Sequence, residues 1–202
     1  MTVKRYRWWH GVAFYAGVHI AQLALRAGAR SLASCHAPGG RKPQTRKDDR
    51  EFYEAERLPV FAPPGAAFPI AWGINSICLI AGGLYVLDLP AETAGRKQFL
   101  RAQAAAWAFF ALFDPAYFGL RSPINAAAVT LFYSAATAAS LDAAWRKMHD
   151  PRAALSLATT VAWLALANPV GATQAAWNRD PFWGVGPFTE PPTGWAKEAK
   201  AA

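Results

Sequence analysis

The sequence predicts an all-α integral membrane protein, a five-transmembrane-helix bundle with a proline-rich lid loop between helices one and two. Three observations predict it. Of the 202 residues, 53% are hydrophobic and nine are tryptophan. The charges are clustered, with eleven charged side chains in residues 41–57 (RKPQTRKDDREFYEAER) and almost none in several longer stretches. Those stretches are apolar all round, where the surface helix of a water-soluble protein carries a polar face.

Crossing roughly 30 Å of hydrocarbon at about 1.5 Å per residue takes about 20 residues. The first helix is expected at about 8–27, with no charge between Trp8 and Leu25 apart from two histidines. Its leading edge, KRYRWWH (4–10), sets basic residues beside Trp8 and Trp9, as at a membrane–water interface. Leu32–Cys35 (LASC) matches a lipoprotein cleavage box. Arg26 and Arg30 interrupt the apolar approach to it, so this helix is read as a retained anchor. The second helix is expected at 64–87, which carries no charge. The third, at 99–118, is apolar in full only from Ala102 to Phe113 and extends through Pro115–Leu120. The fourth (122–145) and fifth (152–177) complete a single membrane domain over 1–178, with a charged loop at 28–63. Pro169 removes a backbone donor and is expected to kink the fifth helix. An aromatic, proline-rich tail follows at 179–202.

The stretch ERLPVFAPPGAAFPIAWGIN (56–75) contains Pro59, Pro63, Pro64 and Pro69. A residue before proline is pushed toward an extended conformation, and proline itself is favoured in a first helical turn. Leu58 to Ala62 is therefore expected to be a stiff extended approach, with the helix starting near Pro64.

Ordinary enzyme chemistry is not expected, because no carboxylate pair at membrane depth, nucleotide loop or nucleophile–base arrangement is present. Asp114 and Asp142 lie near helix ends, where snorkelling or capping accounts for them. Cys35 and Cys78 fall in a loop and a helix and are not expected to pair. No metal site is expected. The net charge of +8 points to anionic membrane lipids or an acidic partner rather than nucleic acid, since no nucleic-acid-reading module accompanies it. Ala102–Ala106 and Ala104–Ala108 place small residues at four-residue spacing, which permits close helix packing within the bundle or between copies. His19 lies inside an apolar helix, where ionisable residues are costly. A neutral imidazole there can ligate a metal or hydrogen-bond a neighbouring helix.

FYEAERLPVFAPPGAAFPIAW (52–72) resembles the signature of the TspO/MBR translocator family, the tryptophan-rich sensory proteins. The matching positions are Phe52, Tyr53, Pro59, Val60, Phe61, Pro63, Pro64, Phe68 and Trp72. In the last helix Trp163, Ala167 and Asn178 fall at the family's spacing, and PAYFGL (115–120) resembles the end of its third helix. The chain departs from the pattern where Phe52 replaces Trp and where Val60-Phe61 replaces a Trp-rich pair. Asn75-Ser76 replaces Leu-Tyr, Thr159-Thr160 replaces Pro-Tyr, and Gly171 replaces Asn. The family's cavity-lining Asn in helix three falls on Trp107 or Phe110.

The resemblance implies binding of a hydrophobic ligand, a porphyrin or other tetrapyrrole (haem- or chlorophyll-type) or a lipid, with a transport or sensory role. The expected lining is Tyr53, Phe61, Phe68, Trp72, Trp107, Phe110, Trp163 and Ala167 under the 50–65 loop. His19 is the candidate axial ligand, and Arg50 and Arg57 stand near enough in sequence to meet propionates. The alternative is a non-catalytic accessory subunit docked on a larger membrane complex through the 28–58 loop and the 179–202 tail. A homodimer through helix three is implied as well, and a multi-pass position in a bacterial membrane is the expected location.

Overall fold

The structure is a computed structural model and describes residues 6–36 and 46–197. Among these the chain is all-helical, with seven α-helical segments and only two isolated β-bridges. They are α1 (Trp8–His36), α2 (Arg46–Ala55), α3 (Ala67–Asp88), α4 (Arg96–Asp114), α5 (Pro123–Asp142), α6 (Pro151–Leu155) and α7 (Ala158–Trp177). Wide π-helical turns at Pro115–Gly119 and Ala143–Lys147 extend α4 and α5.

Among the described residues three stretches are long and apolar enough to cross a membrane: Ala67–Asp88, Pro123–Lys147 and Pro151–Trp177. Their outward faces are apolar. Ile77 is 71% exposed, Leu131 64% and Leu155 70%, positions that hydrocarbon would cover in a bilayer. α1 is similar on its outer face, with Ile20 and Leu23 both exposed.

Long elements alternate in direction. The backbone N–H of Tyr6 donates to Asp88 at 3.0 Å, joining the start of α1 to the end of α3. The Tyr85 hydroxyl donates to Asp150 at 2.6 Å, joining α3 to the start of α6. At the opposite end Arg26 of α1 reaches Asp114, the last residue of α4. Ser122 caps α5 by accepting from the Asn125 N–H at 3.1 Å, with Pro123 in the first turn. Asp150 caps α6 in the same way, accepting from the N–H groups of Arg152 and Ala153. Helix α7 runs through Pro169, where the Asn168 amide turns back to the Leu164 carbonyl at 2.9 Å.

The charged 28–63 segment is not a loop throughout. α1 continues to His36, and a separate helix occupies 46–55. LALRAGARSLAS is rich in strong helix formers. In α2 the ion pairs Lys47–Glu51 and Arg50–Glu54 fall at i,i+4, and Asp48 and Asp49 occupy the first turn. The proline approach differs too. Leu58–Ala62 is not extended, because the Ala62 N–H closes a turn on the Pro59 carbonyl at 2.9 Å. A second turn, from the Ala67 N–H to the Pro64 carbonyl, delays α3 to Ala67 and puts Pro69 in its opening turn. The side chain of Cys35 lies outside the described residues.

Two apolar cores stack along the bundle. The larger, between α3, α4, α5 and α7, contains Leu79, Val86, Phe99, Trp107, Phe110, Tyr133 and Leu164. The smaller lies under the proline segment and contains Tyr53, Leu58, Ala62, Tyr117, Ala126 and Val170.

An aromatic column below the proline segment

Aromatic residues from separate helices form one continuous run of ring contacts through both cores. It begins at α2, where buried Tyr53 donates its hydroxyl to the Pro63 carbonyl at 2.9 Å and so holds the proline segment. Phe68 of α3 meets the Tyr53 ring edge-on at 5.3 Å and the Trp163 ring of α7 at the same separation. Trp163 lies 6.3 Å from Trp72, which leans on Phe110 at 5.0 Å and on Tyr133 of α5 at 5.6 Å. Phe110 continues the run to Trp107 at 5.4 Å and to His19 of α1 at 6.0 Å. Phe68 and Trp72 are four residues apart on α3, and Trp107 and Phe110 three apart on α4, so each pair shares one helix face. Edge-to-face pairs of this kind are worth about 0.5–1.5 kcal/mol each beyond their burial.

Of the expected lining, Tyr53, Phe68, Trp72, Trp107, Phe110 and Trp163 come together in this column. Ala167 is half-buried one turn beyond Trp163 on α7. Phe61 does not join it. The turn at Pro59–Ala62 directs Val60 and Phe61 outward, leaving them 53% and 40% exposed, and buries Leu58 and Ala62 instead. Tyr133 and Tyr15 belong to the column and were not expected. The available signal for Tyr133 was a lone tyrosine in an alanine-rich helix. His19 bonds through Nδ1 to the Gln22 side-chain oxygen at 3.0 Å and sits edge-on to Tyr15 at 4.3 Å.

An ionic cluster braces the same end of the bundle. The Arg26 guanidinium bonds Asp114 at 2.9 Å and also Asp49 of α2, with all three side chains largely withdrawn from solvent. Asp49 faces Arg121 at 3.7 Å, and Arg121 lies over the Phe52 ring at 4.5 Å. Asp114 is thus an ion-pair partner between helices rather than a snorkelling or capping residue. Asp142 pairs with Arg146 at 3.6 Å.

The tail folds back onto the proline segment. Val60 donates its N–H to the Trp195 carbonyl at 2.9 Å, and Lys197 donates to the Leu58 carbonyl at 2.8 Å. Asn178, at the end of α7, accepts from the Arg57 N–H at 2.8 Å and donates to the Arg57 carbonyl at 3.1 Å. The Arg57 guanidinium pairs with Glu190 of the tail, and Arg50 pairs with Glu54 at 2.9 Å, so both arginines already hold carboxylates. Asp180 is 1% exposed and accepts from the Ser122 hydroxyl at 2.6 Å and from the N–H of Ile124 at 3.1 Å, anchoring the tail at the start of α5. Glu56 is half-buried near it. Burial first, then the charge of Asp180, pushes its carboxyl up to about 7.

These features define a helical membrane protein whose interior is an aromatic column beneath a clasped, proline-rich segment. Residues 31–174 match the TspO/MBR family, and the chain belongs to it. It is also 28% identical over 150 residues to a tryptophan-rich sensory protein of Cereibacter sphaeroides, an alignment spanning 73% of this chain and 90% of that relative.

Proposed function

We propose that this protein is a TspO-type membrane receptor or carrier that takes a flat hydrophobic ligand, of the tetrapyrrole class, against the Trp72–Trp163 end of the aromatic column. The observation that carries this reading is the unbroken ring contact from Tyr53, which holds the proline segment, to Trp72 and Phe110 inside the bundle. The proline segment acts as a lid, and the tail holds it shut. α1 and α4 cross the membrane with the three more apolar stretches, since all five alternate in direction between the same two ends. The role is transport or sensing of the ligand, without catalysis.

Trp163→Leu is expected to weaken protoporphyrin binding by about tenfold, the loss expected from about 1–2 kcal/mol of ring contact. Quenching titrations of the purified protein measure this, and an unchanged affinity would sink the reading. His19 offers a second test. With Nδ1 donating to Gln22, Nε2 is left as an electron-pair donor beside Phe110. His19→Ala is expected to abolish the Soret shift that accompanies haemin binding while leaving metal-free protoporphyrin affinity intact. Haemin spectra identical in both proteins would remove His19 from the ligand role.

A second reading, an accessory subunit of a larger complex, draws on the tail. Trp183, Phe188 and Trp195 are 57%, 62% and 56% exposed there, an apolar surface suited to a partner or to lipid headgroups.

A further inference from the structure

Most polar side chains inside the bundle have partners, and Gln103 and Gln174 donate to Ser140 and Tyr117 on neighbouring elements. Thr130, Ser134, Ser140 and Thr173 donate their hydroxyls to the carbonyl four residues back. This is the ordinary way a helix satisfies a serine or threonine away from water. Five other polar groups are different. Asn75 Nδ2, Ser76 Oγ, Tyr133 Oη, Thr159 Oγ1 and Thr160 Oγ1 are buried with no hydrogen-bond partner. Asn75 is 2% exposed, Ser76 3%, Tyr133 3% and Thr160 0%.

These five groups lie at one level. α3 and α7 run antiparallel, with Phe68 and Trp72 against Trp163 at one end of their contact. Further along, a Cβ on Gly82 would stand 2.0 Å from Ser156 Oγ. Between those two contacts Asn75-Ser76 falls opposite Thr159-Thr160. Tyr133 closes the group from α5, with its ring on Trp72 and its hydroxyl facing Thr160 and Thr137 outside hydrogen-bonding geometry. The level is near the middle of each of the three most apolar stretches, one helical turn below the Trp72–Trp163 contact. In hydrocarbon no water competes for such groups, so leaving five open together is costly.

The donor set states what would fill it. A primary amide and four hydroxyls can all donate, and none of the five groups carries a charge. A carboxylate would be left without a counter-charge here, whereas a neutral carbonyl oxygen, which only accepts, suits every member. We propose that Asn75, Ser76, Tyr133, Thr159 and Thr160 form a hydrogen-bonding site for the neutral carbonyl end of a conjugated apolar ligand, of the quinone or ring-ketone class, whose flat body lies against Trp72 and Trp163. This rests on the ligand-binding reading above and adds the class of ligand.

The test compares decylubiquinone, a neutral dicarbonyl, with protoporphyrin, a dicarboxylate, by tryptophan quenching in wild type and in Asn75→Leu/Thr160→Val. The double variant keeps all nine tryptophans, so the probe is unchanged. It replaces unpartnered polar groups with apolar ones of similar size, so its Tm is expected to stay level or rise. Quinone affinity is expected to fall about tenfold while protoporphyrin affinity holds. Ser76→Ala removes a single hydroxyl and is expected to weaken quinone alone, a check that holds if the double variant folds poorly. If quinone binds both proteins equally, the level holds only internal water and the inference is overturned. Wild type that binds protoporphyrin but not quinone overturns it too, leaving the ligand-binding reading intact. Wild type that binds neither removes that reading and this one with it.

Discussion

Replacing Arg26 with methionine is expected to cost about 3–5 kcal/mol of stability, the usual result of leaving buried charges without their partner. Arg26 is the shared counter-charge of Asp114 and Asp49, with side-chain exposures of 12%, 23% and 11% respectively. Asp49 retains Arg121 at 3.7 Å, so Asp114 takes most of the loss. Because the two carboxylates belong to α4 and α2, the variant should loosen α2 and with it Tyr53, which holds the proline segment. Thermal unfolding of the detergent-solubilised protein measures the effect. Arg26→Met combined with Asp114→Asn is expected to recover a large part of it, since the second change removes the stranded charge. A Tm within a degree or two of wild type for the single variant would show that the cluster is not a brace.

The second large effect is a pH dependence centred on Glu56. Its folded carboxyl titrates at about 7, against an ordinary value of 4.5. A carboxyl raised in the folded state holds its proton there while the unfolded chain has released it. Its contribution is therefore fully present below about pH 4.5, declines as pH rises through the window to 7, and is level above it. At alkaline pH the ionised Glu56 faces Asp180 directly, with Arg57 nearby but engaged by Glu190. Glu56→Gln is expected to match wild type near pH 4.5 and to exceed it above pH 7 by up to about 3 kcal/mol. Unfolding measured across that range tests it. Parallel curves for the two proteins would rule out a buried, proton-retaining Glu56. Both groups sit where the tail meets the proline segment, so wild type should also show faster exchange of the Val60 amide above pH 7 than Glu56→Gln does.

The sequence by itself determined the membrane class, because apolar runs of twenty residues and more are a local property that neighbours cannot change. The family resemblance carried by residues 52–72 and by the last helix offered Tyr53, Phe68, Trp72, Trp107, Phe110 and Trp163 as candidates for one site, and spacing along a helix adds only that Phe68 shares a face with Trp72 and Trp107 with Phe110. Helix ends were less legible. α1 runs past Arg26 and Arg30 on strong local helix formers, and Arg26 finds its partners in Asp114 and Asp49, which are 88 and 23 residues away along the chain. No local pattern records such a partnership. Phe61 was misplaced for a similar reason, since a turn closed by the Pro59 carbonyl reverses which side chains face inward.

Only the tertiary structure decided the rest. The tail looks like an aromatic appendage in sequence, yet Asp180 caps the start of α5 and Trp195 pairs its backbone with Val60. Asn75-Ser76, Tyr133 and Thr159-Thr160 belong to three separate helices, and only the antiparallel packing of α3 and α7 sets the two dipeptides opposite each other. Hydrophobicity acts locally and is legible along the chain. Hydrogen bonds and ion pairs depend on which distant groups arrive together, and that is settled by packing alone.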